Sequence, residues 1–171
     1  DLRYVRALDA SGTSWGTPQT IALAGSVGQY ASLAVVNGNP AISYYDQSAA
    51  ELKYVRATDA SGTSWGTLRT IDTAGDVGQY TSLAVINGNP AISYFDNSRG
   101  DLRYVRATDA SGTSWPAGAA ADSGFQSGNV GTYTSQAVVN GNPAIAYYDG
   151  TNQDLRYVRA LDASGTSWGT P

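Results

Sequence analysis

The chain has 171 residues, 42% of them apolar, enough for one domain with a real core, and a net charge of −4. Its ten basic residues are scattered and form no stripe for a phosphate backbone, and no run approaches the ~20 continuous apolar residues of a membrane helix, so neither nucleic acid nor membrane insertion is expected. Cys and His are both absent, which removes thiolate and imidazole metal ligands, Ser-His-Asp and Cys-His nucleophile systems and any disulfide framework.

The chain opens on a segment that it repeats. DLRYVRALDASGTSWGTP at 1–18 returns as ELKYVRATDASGTSWGTL at 51–68, as DLRYVRATDASGTSWPAG at 101–118 and, unchanged, at 154–171. The spacing of about 50 residues marks a repeated supersecondary unit. Residues 1–26 read as the third and fourth strands of such a unit. The first complete unit, 27–76, begins with a strand over 30–36 that stops at Asn37-Gly38-Asn39, where Asn-Gly supplies the positive φ angles of a tight hairpin. A second strand over 41–45 ends at Asp46, a polar link leads to a third over 52–57, the Asp-to-Trp phrase turns the chain, and a fourth runs over 65–71. The unit at 77–129 repeats this plan with a longer, small-residue connection over 115–133, read as a loop variation or else a binding loop. The last unit, 130–171, ends in a truncated fourth strand. This is an all-β, antiparallel meander. Leu52 and Tyr54 fall on one face of the third strand and Val55 and Ala57 on the other, so both faces need cover, which a sheet stacked between copies of itself receives.

The phrase itself, LDASGTSW or TDASGTSW, carries a physical logic. An Asp carboxylate in a turn accepts hydrogen bonds from the NH groups just ahead of it, Gly adopts the backbone angle that a Cβ resists, and Trp fills the space between sheets. Asp9, Gly12 and Trp15, Asp59, Gly62 and Trp65, Asp109, Gly112 and Trp115, and Asp162, Gly165 and Trp168 are therefore expected to be structural. With Thr58 and Ser64, or Thr108 and Ser114, this phrase resembles the Asp-box of sialidases and other β-propellers, a hairpin between the third and fourth strands of a blade. It departs from that pattern in having two residues between Asp and Gly. The resemblance implies β-propeller blades of four antiparallel strands, about 50 residues each, about three and a half of them in this chain. A ring typically has four to eight blades, so self-association as a homo-oligomer or fibre is the expected partnership. The absence of Met even at residue 1 suggests a processed or partial chain and fits a secreted or cell-surface protein.

Candidates for chemistry each have a structural competitor. Asp46 with Glu51, Asp96 with Asp101, and Asp149 with Asp154 offer carboxylates around a polar turn, but two per turn is thin for Ca²⁺; turn capping is expected, no cofactor, with calcium as the alternative. The paired basic residues of RYVR, three apart, face opposite sides of a strand and cannot converge on one ligand; Arg6, Arg56, Arg106 and Arg159 are expected to pair with neighbouring acids. Sugar binding would fall to Tyr45, Asp46, Phe95, Asp96, Tyr148 and Asp149, with Asn39, Asn89 and Asn142, against a packing role for the same aromatics. Glu51 is the only Glu, and no two carboxylates stand out as a glycosidase pair. The expectation is a non-catalytic repeat scaffold acting in adhesion or self-assembly; a multivalent carbohydrate-binding propeller is the alternative, and a sialidase-like glycosidase ranks behind both.

Overall fold

The computed structural model describes residues 1–123 and 128–171 as an all-β chain of 13 strands in four antiparallel sheets. The first sheet pairs β1 (Leu2–Tyr4) with β2 (Gln19–Ala22). The second is a meander of β3 (Val27–Val36), β4 (Asn39–Asp46), β5 (Glu51–Arg56) and β6 (Arg69–Asp72). The third repeats it with β7 (Val77–Ile86), β8 (Asn89–Asp96), β9 (Asp101–Arg106) and β10 (Ala119–Asp122). The fourth has three strands, β11 (Val130–Val139), β12 (Asn142–Asp149) and β13 (Asp154–Arg159). The sheets pack in chain order and do not close into a ring among the described residues.

Local sequence explains the hairpins. Val36 pairs with Asn39 across Asn37 and Gly38, both at positive φ (44° and 80°), the two-residue turn whose twist matches the strands it joins. The same geometry recurs at Asn87-Gly88 and Asn140-Gly141. Two expected strands are redrawn. The first strand begins at Val27 rather than residue 30, because the register slips between Val27 and Gln29 and again before Ser32, letting the chain pass through Gly28 and Tyr30 at positive φ without leaving the ladder. The fourth begins at Arg69 rather than residue 65. Trp65 makes only an isolated bridge to Ala57, since the phrase still directs the backbone there. In the longer connection over 115–133, β10 keeps the fourth strand and residues 124–127 lie outside the described residues.

Both faces of the central sheets are buried, and three apolar cores result. Leu52 and Tyr54 turn toward the third sheet to meet Val77, Leu83, Ile92, Tyr94 and Val105. Ile42, Tyr44 and Val55 turn toward Leu2 and Ala22 of the first sheet. Leu102 and Tyr104 cover Val130, Ile145, Tyr147 and Val158 of the fourth. Each fully buried side chain of this size contributes roughly 1.5–3 kcal/mol, so the stack is held chiefly by the interlayer cores. The first strands β3, β7 and β11 lie side by side across the stack.

Candidate functional site

The repeated Asp-to-Trp corner is the most elaborate local structure. Asp59 accepts hydrogen bonds from the NH groups of Ser61 (2.9 Å), Thr63 (3.1 Å) and Ser64 (2.7 Å) and from the Thr63 hydroxyl (2.9 Å). The Thr63 NH is the largest of the influences holding its carboxyl below the ordinary range. Asp9, Asp109 and Asp162 make the same set. Gly62 adopts φ 71°, and the Trp65 indole NH donates to its carbonyl at 3.0 Å.

Three of the four corners dock on the preceding sheet through a tyrosine, a partnership absent from the sequence expectations. Trp65 meets Tyr4 edge-on at 5.1 Å between ring centroids, Trp115 meets Tyr54 at 5.1 Å, and Trp168 meets Tyr104 at 5.1 Å. The tyrosine hydroxyl donates back to the corner, to the carbonyls of Ser61, Ser111 and Ser164. Glycine lets the ring approach: a Cβ on Gly112 would lie 2.8 Å from Tyr54 Cε1. Trp15, which no tyrosine meets among the described residues, is 58% exposed. The periodic recurrence of Tyr two residues after Leu was the available signal.

The turn acids are engaged as caps. Asp96 is fully buried, and its Oδ1 accepts from the NH groups of Ser98 and Arg99 (both 3.1 Å), while Oδ2 meets Arg99 (2.7 Å) and Arg103 (3.2 Å). Asp149 accepts from Thr151 and Asn152 and pairs with Arg156 at 2.8 Å; Asp46 accepts from the Ala49 NH at 3.2 Å. Among the described residues no group of three or more acids is placed to hold a metal ion.

The basic pairs divide their work in a way that corrects the expectation. Among the described residues Arg56, Arg106 and Arg159 meet no acid; each spans the hairpin end, as Arg106 does by donating to the carbonyls of Ile86 and Asn87 at 2.8 Å. Turn carbonyls at positive φ point away from the ladder and need a donor. It is the first member, Lys53, Arg103 or Arg156, that pairs with acid: Lys53 with Glu51 and Asp46, Arg103 with Asp96 and Asp72, Arg156 with Asp149 and Asp122. Beside them Tyr94 donates to Asp72 at 2.6 Å and Tyr147 to Asp122 at 2.5 Å.

Of the aromatics named for sugar binding, Tyr45 and Phe95 are only 5% and 3% exposed, whereas Tyr148 is 37% exposed. Tyr45 donates to Asp76 at 2.5 Å. Asn39, Asn89 and Asn142 donate their side-chain amides to the carbonyls of Ala57, Ala107 and Ala160, each at 2.9 Å, and so tie hairpin to third strand. Open aromatic surface also lies on the first strands, at Tyr30 (39% exposed) and Tyr133 (68%). The resulting arrangement of capped turns and docked corners defines the chain as an all-β stack of antiparallel sheets. No protein-family model and no curated protein matches the chain.

Proposed function

We propose that this chain is a non-catalytic repeat scaffold of the Asp-box propeller type, a segment of sialidase-like blade architecture that acts in adhesion or self-assembly outside the cell. The observation that carries this reading is the triple recurrence of one junction, Trp on Tyr at 5.1 Å, made by residues of the repeated phrase. The repeat spends its carboxylates on its own turns, where a catalytic site would leave acids of different environment facing one cleft. Leu155 and Tyr157 of the last sheet are 83% and 50% exposed, whereas their counterparts Leu102 and Tyr104 lie beneath another sheet, so this face suits a covering sheet, whether from the same chain or from a second copy. Light scattering across a concentration series is the test. A mass above one chain, falling when Tyr157→Asp breaks the open face, supports the reading; one chain at every concentration refutes self-assembly.

A second reading, multivalent carbohydrate binding, is favoured by three equivalent clefts between a third strand and the next corner, of about 180, 140 and 280 Å³. They are lined by Arg6 with Thr63, Arg56 with Thr113, and Arg106 with Thr166. A glycan array distinguishes it: binding lost when Thr63, Thr113 and Thr166 are changed together to Val supports a lectin, and silence on every glycan removes it.

A further inference from the structure

Three tyrosines one repeat apart occupy a backbone region that bulky residues avoid: Tyr30 at φ 53°, Tyr80 at 53° and Tyr133 at 55°. The next sheet holds the first two there. The Thr81 hydroxyl donates to the Tyr30 carbonyl at 2.9 Å and that of Thr134 to the Tyr80 carbonyl at 2.7 Å, so the bulge of one sheet is fastened by the next. The consequence is a column of rings across three sheets. Tyr30 and Tyr80 lie 4.4 Å apart between centroids with 44° between planes, and Tyr80 and Tyr133 lie 4.5 Å apart at 50°. The rings behind them are farther off: Tyr45 is 6.1 Å from Tyr30, Tyr148 is 6.3 Å from Tyr133, and the ring behind Tyr80 is Phe95. Burial, and then hydrogen bonding with the Tyr30 and Tyr133 hydroxyls, push the Tyr80 phenol above the usual tyrosine range. At centroid separations of 4.4 and 4.5 Å neighbouring rings are in contact, and the ring carbons beside the hydroxyl are the positions at which phenoxyl radicals couple.

We propose that Tyr30, Tyr80 and Tyr133 form an oxidative cross-linking site, at which a haem peroxidase with hydrogen peroxide joins Tyr80 to Tyr30 or to Tyr133 as dityrosine. Each phenol gives up one electron and one proton. The two radicals form a carbon–carbon bond ortho to the hydroxyls, and the ring hydrogens at the new bond shift to the oxygens to restore both aromatic rings. Hydrogen peroxide takes the two electrons and two protons and leaves as two waters. Tyr133, two-thirds exposed, is the entry for the oxidant, and Tyr80 is the common partner. The chain has 12 tyrosines and no cysteine, so this chemistry offers neighbouring sheets the covalent tie that a disulfide cannot. The inference does not depend on the scaffold reading.

The test is to treat the dilute 171-residue protein with a haem peroxidase and hydrogen peroxide, then measure dityrosine fluorescence, intact mass and tryptic peptides. Trypsin places Tyr30, Tyr80 and Tyr133 in three different peptides, which also carry Tyr44 and Tyr45, Tyr94, and Tyr147 and Tyr148, so fragmentation of the joined peptides locates the bridge. The expected product is a single chain lighter by two hydrogens, with the Tyr80 peptide joined to that of Tyr30 or Tyr133. Tyr80→Phe, which keeps the ring and its packing, should abolish that product, and so should the double variant Tyr30→Phe/Tyr133→Phe, while Tyr157→Phe should leave it intact. Bridges found only between molecules, oxygen addition in place of hydrogen loss, or an undiminished intramolecular yield in either Tyr80→Phe or the double variant would overturn the proposal.

Discussion

Replacing Gly112 with Ala interrogates the docking of a corner on its neighbour. Gly112 sits at φ 69°, and an added Cβ would lie 2.8 Å from Tyr54 Cε1 and 2.9 Å from Cζ. The left-handed backbone costs an L residue about 1–2 kcal/mol, and moving a packed ring adds about 1–3 kcal/mol, for a loss of about 2–5 kcal/mol. The chain contains its own control. Gly12 has φ 68° in the same phrase, but the nearest atom to its built Cβ is Trp15 Cζ2 at 3.9 Å. Gly12→Ala should therefore lose only the backbone cost, about 1–2 kcal/mol, and the difference of about 1–3 kcal/mol belongs to the junction. Urea unfolding followed by tryptophan fluorescence and circular dichroism measures both. Equal losses for the two variants would refute the idea that these corners stabilise the stack by seating on the preceding tyrosine.

The remaining expectations concern charge and single hydrogen bonds. Burial pulls the Asp162 carboxyl up, but bonds from the Thr166 hydroxyl and the NH groups of Ser164, Ser167 and Thr166 outweigh it and hold the pKa down to about 2 from the ordinary 3.8. Its stabilisation is thus complete above pH 3.8 and fades as pH falls through about 2, and Asp162→Asn should flatten the acid limb of a plot of urea midpoint against pH. At the other extreme, burial first and then nearby carboxylates raise Tyr44 and Tyr45 to about 12 from 10.0. Stability should hold below pH 10 and decline as pH rises through about 12, with ultraviolet titration showing delayed tyrosine ionisation. Tyr94→Phe removes a 2.6 Å bond to Asp72 and should cost about 1–2 kcal/mol in urea unfolding. Tyr44→Phe should cost less, because Ala22 stands where Asp72 stands in the next repeat. Arg106→Ala leaves the Ile86 and Asn87 carbonyls without their donor and should cost about 1–3 kcal/mol, with faster amide exchange at that hairpin.

Much of the local structure was legible because its causes are local. Asn37-Gly38 supplies two positive φ angles between residues that then must pair, and Asp59 finds its donors within five residues, so neither needs the rest of the molecule. Apolar residues on both faces of the third strand likewise demanded a stack. The first strand was expected from residue 30, and the bulge that carries it back to Val27 through Gly28 shows only when β4 continues the ladder past it. Arg56 was assigned to acids because guanidinium prefers them, yet the hairpin carbonyls lie nearer and the acids already have Lys53. Of the expected exposed aromatics Tyr45 and Phe95 are buried and Tyr148 is open, as Tyr30 and Tyr133 are, since burial depends on which neighbouring sheet covers a ring.

The amino-acid order by itself determined the repeat, its turns and the demand that each sheet be covered on two sides, because these follow from backbone angles and apolar content within one unit. Only the tertiary structure decided which tyrosine receives each tryptophan, which cation meets which acid, and that three strained tyrosines align across sheets. The ring contacts join residues about 50 or more positions apart, and Arg103 reaches across to Asp72 of the preceding sheet, so this geometry depends on how one sheet settles on the next.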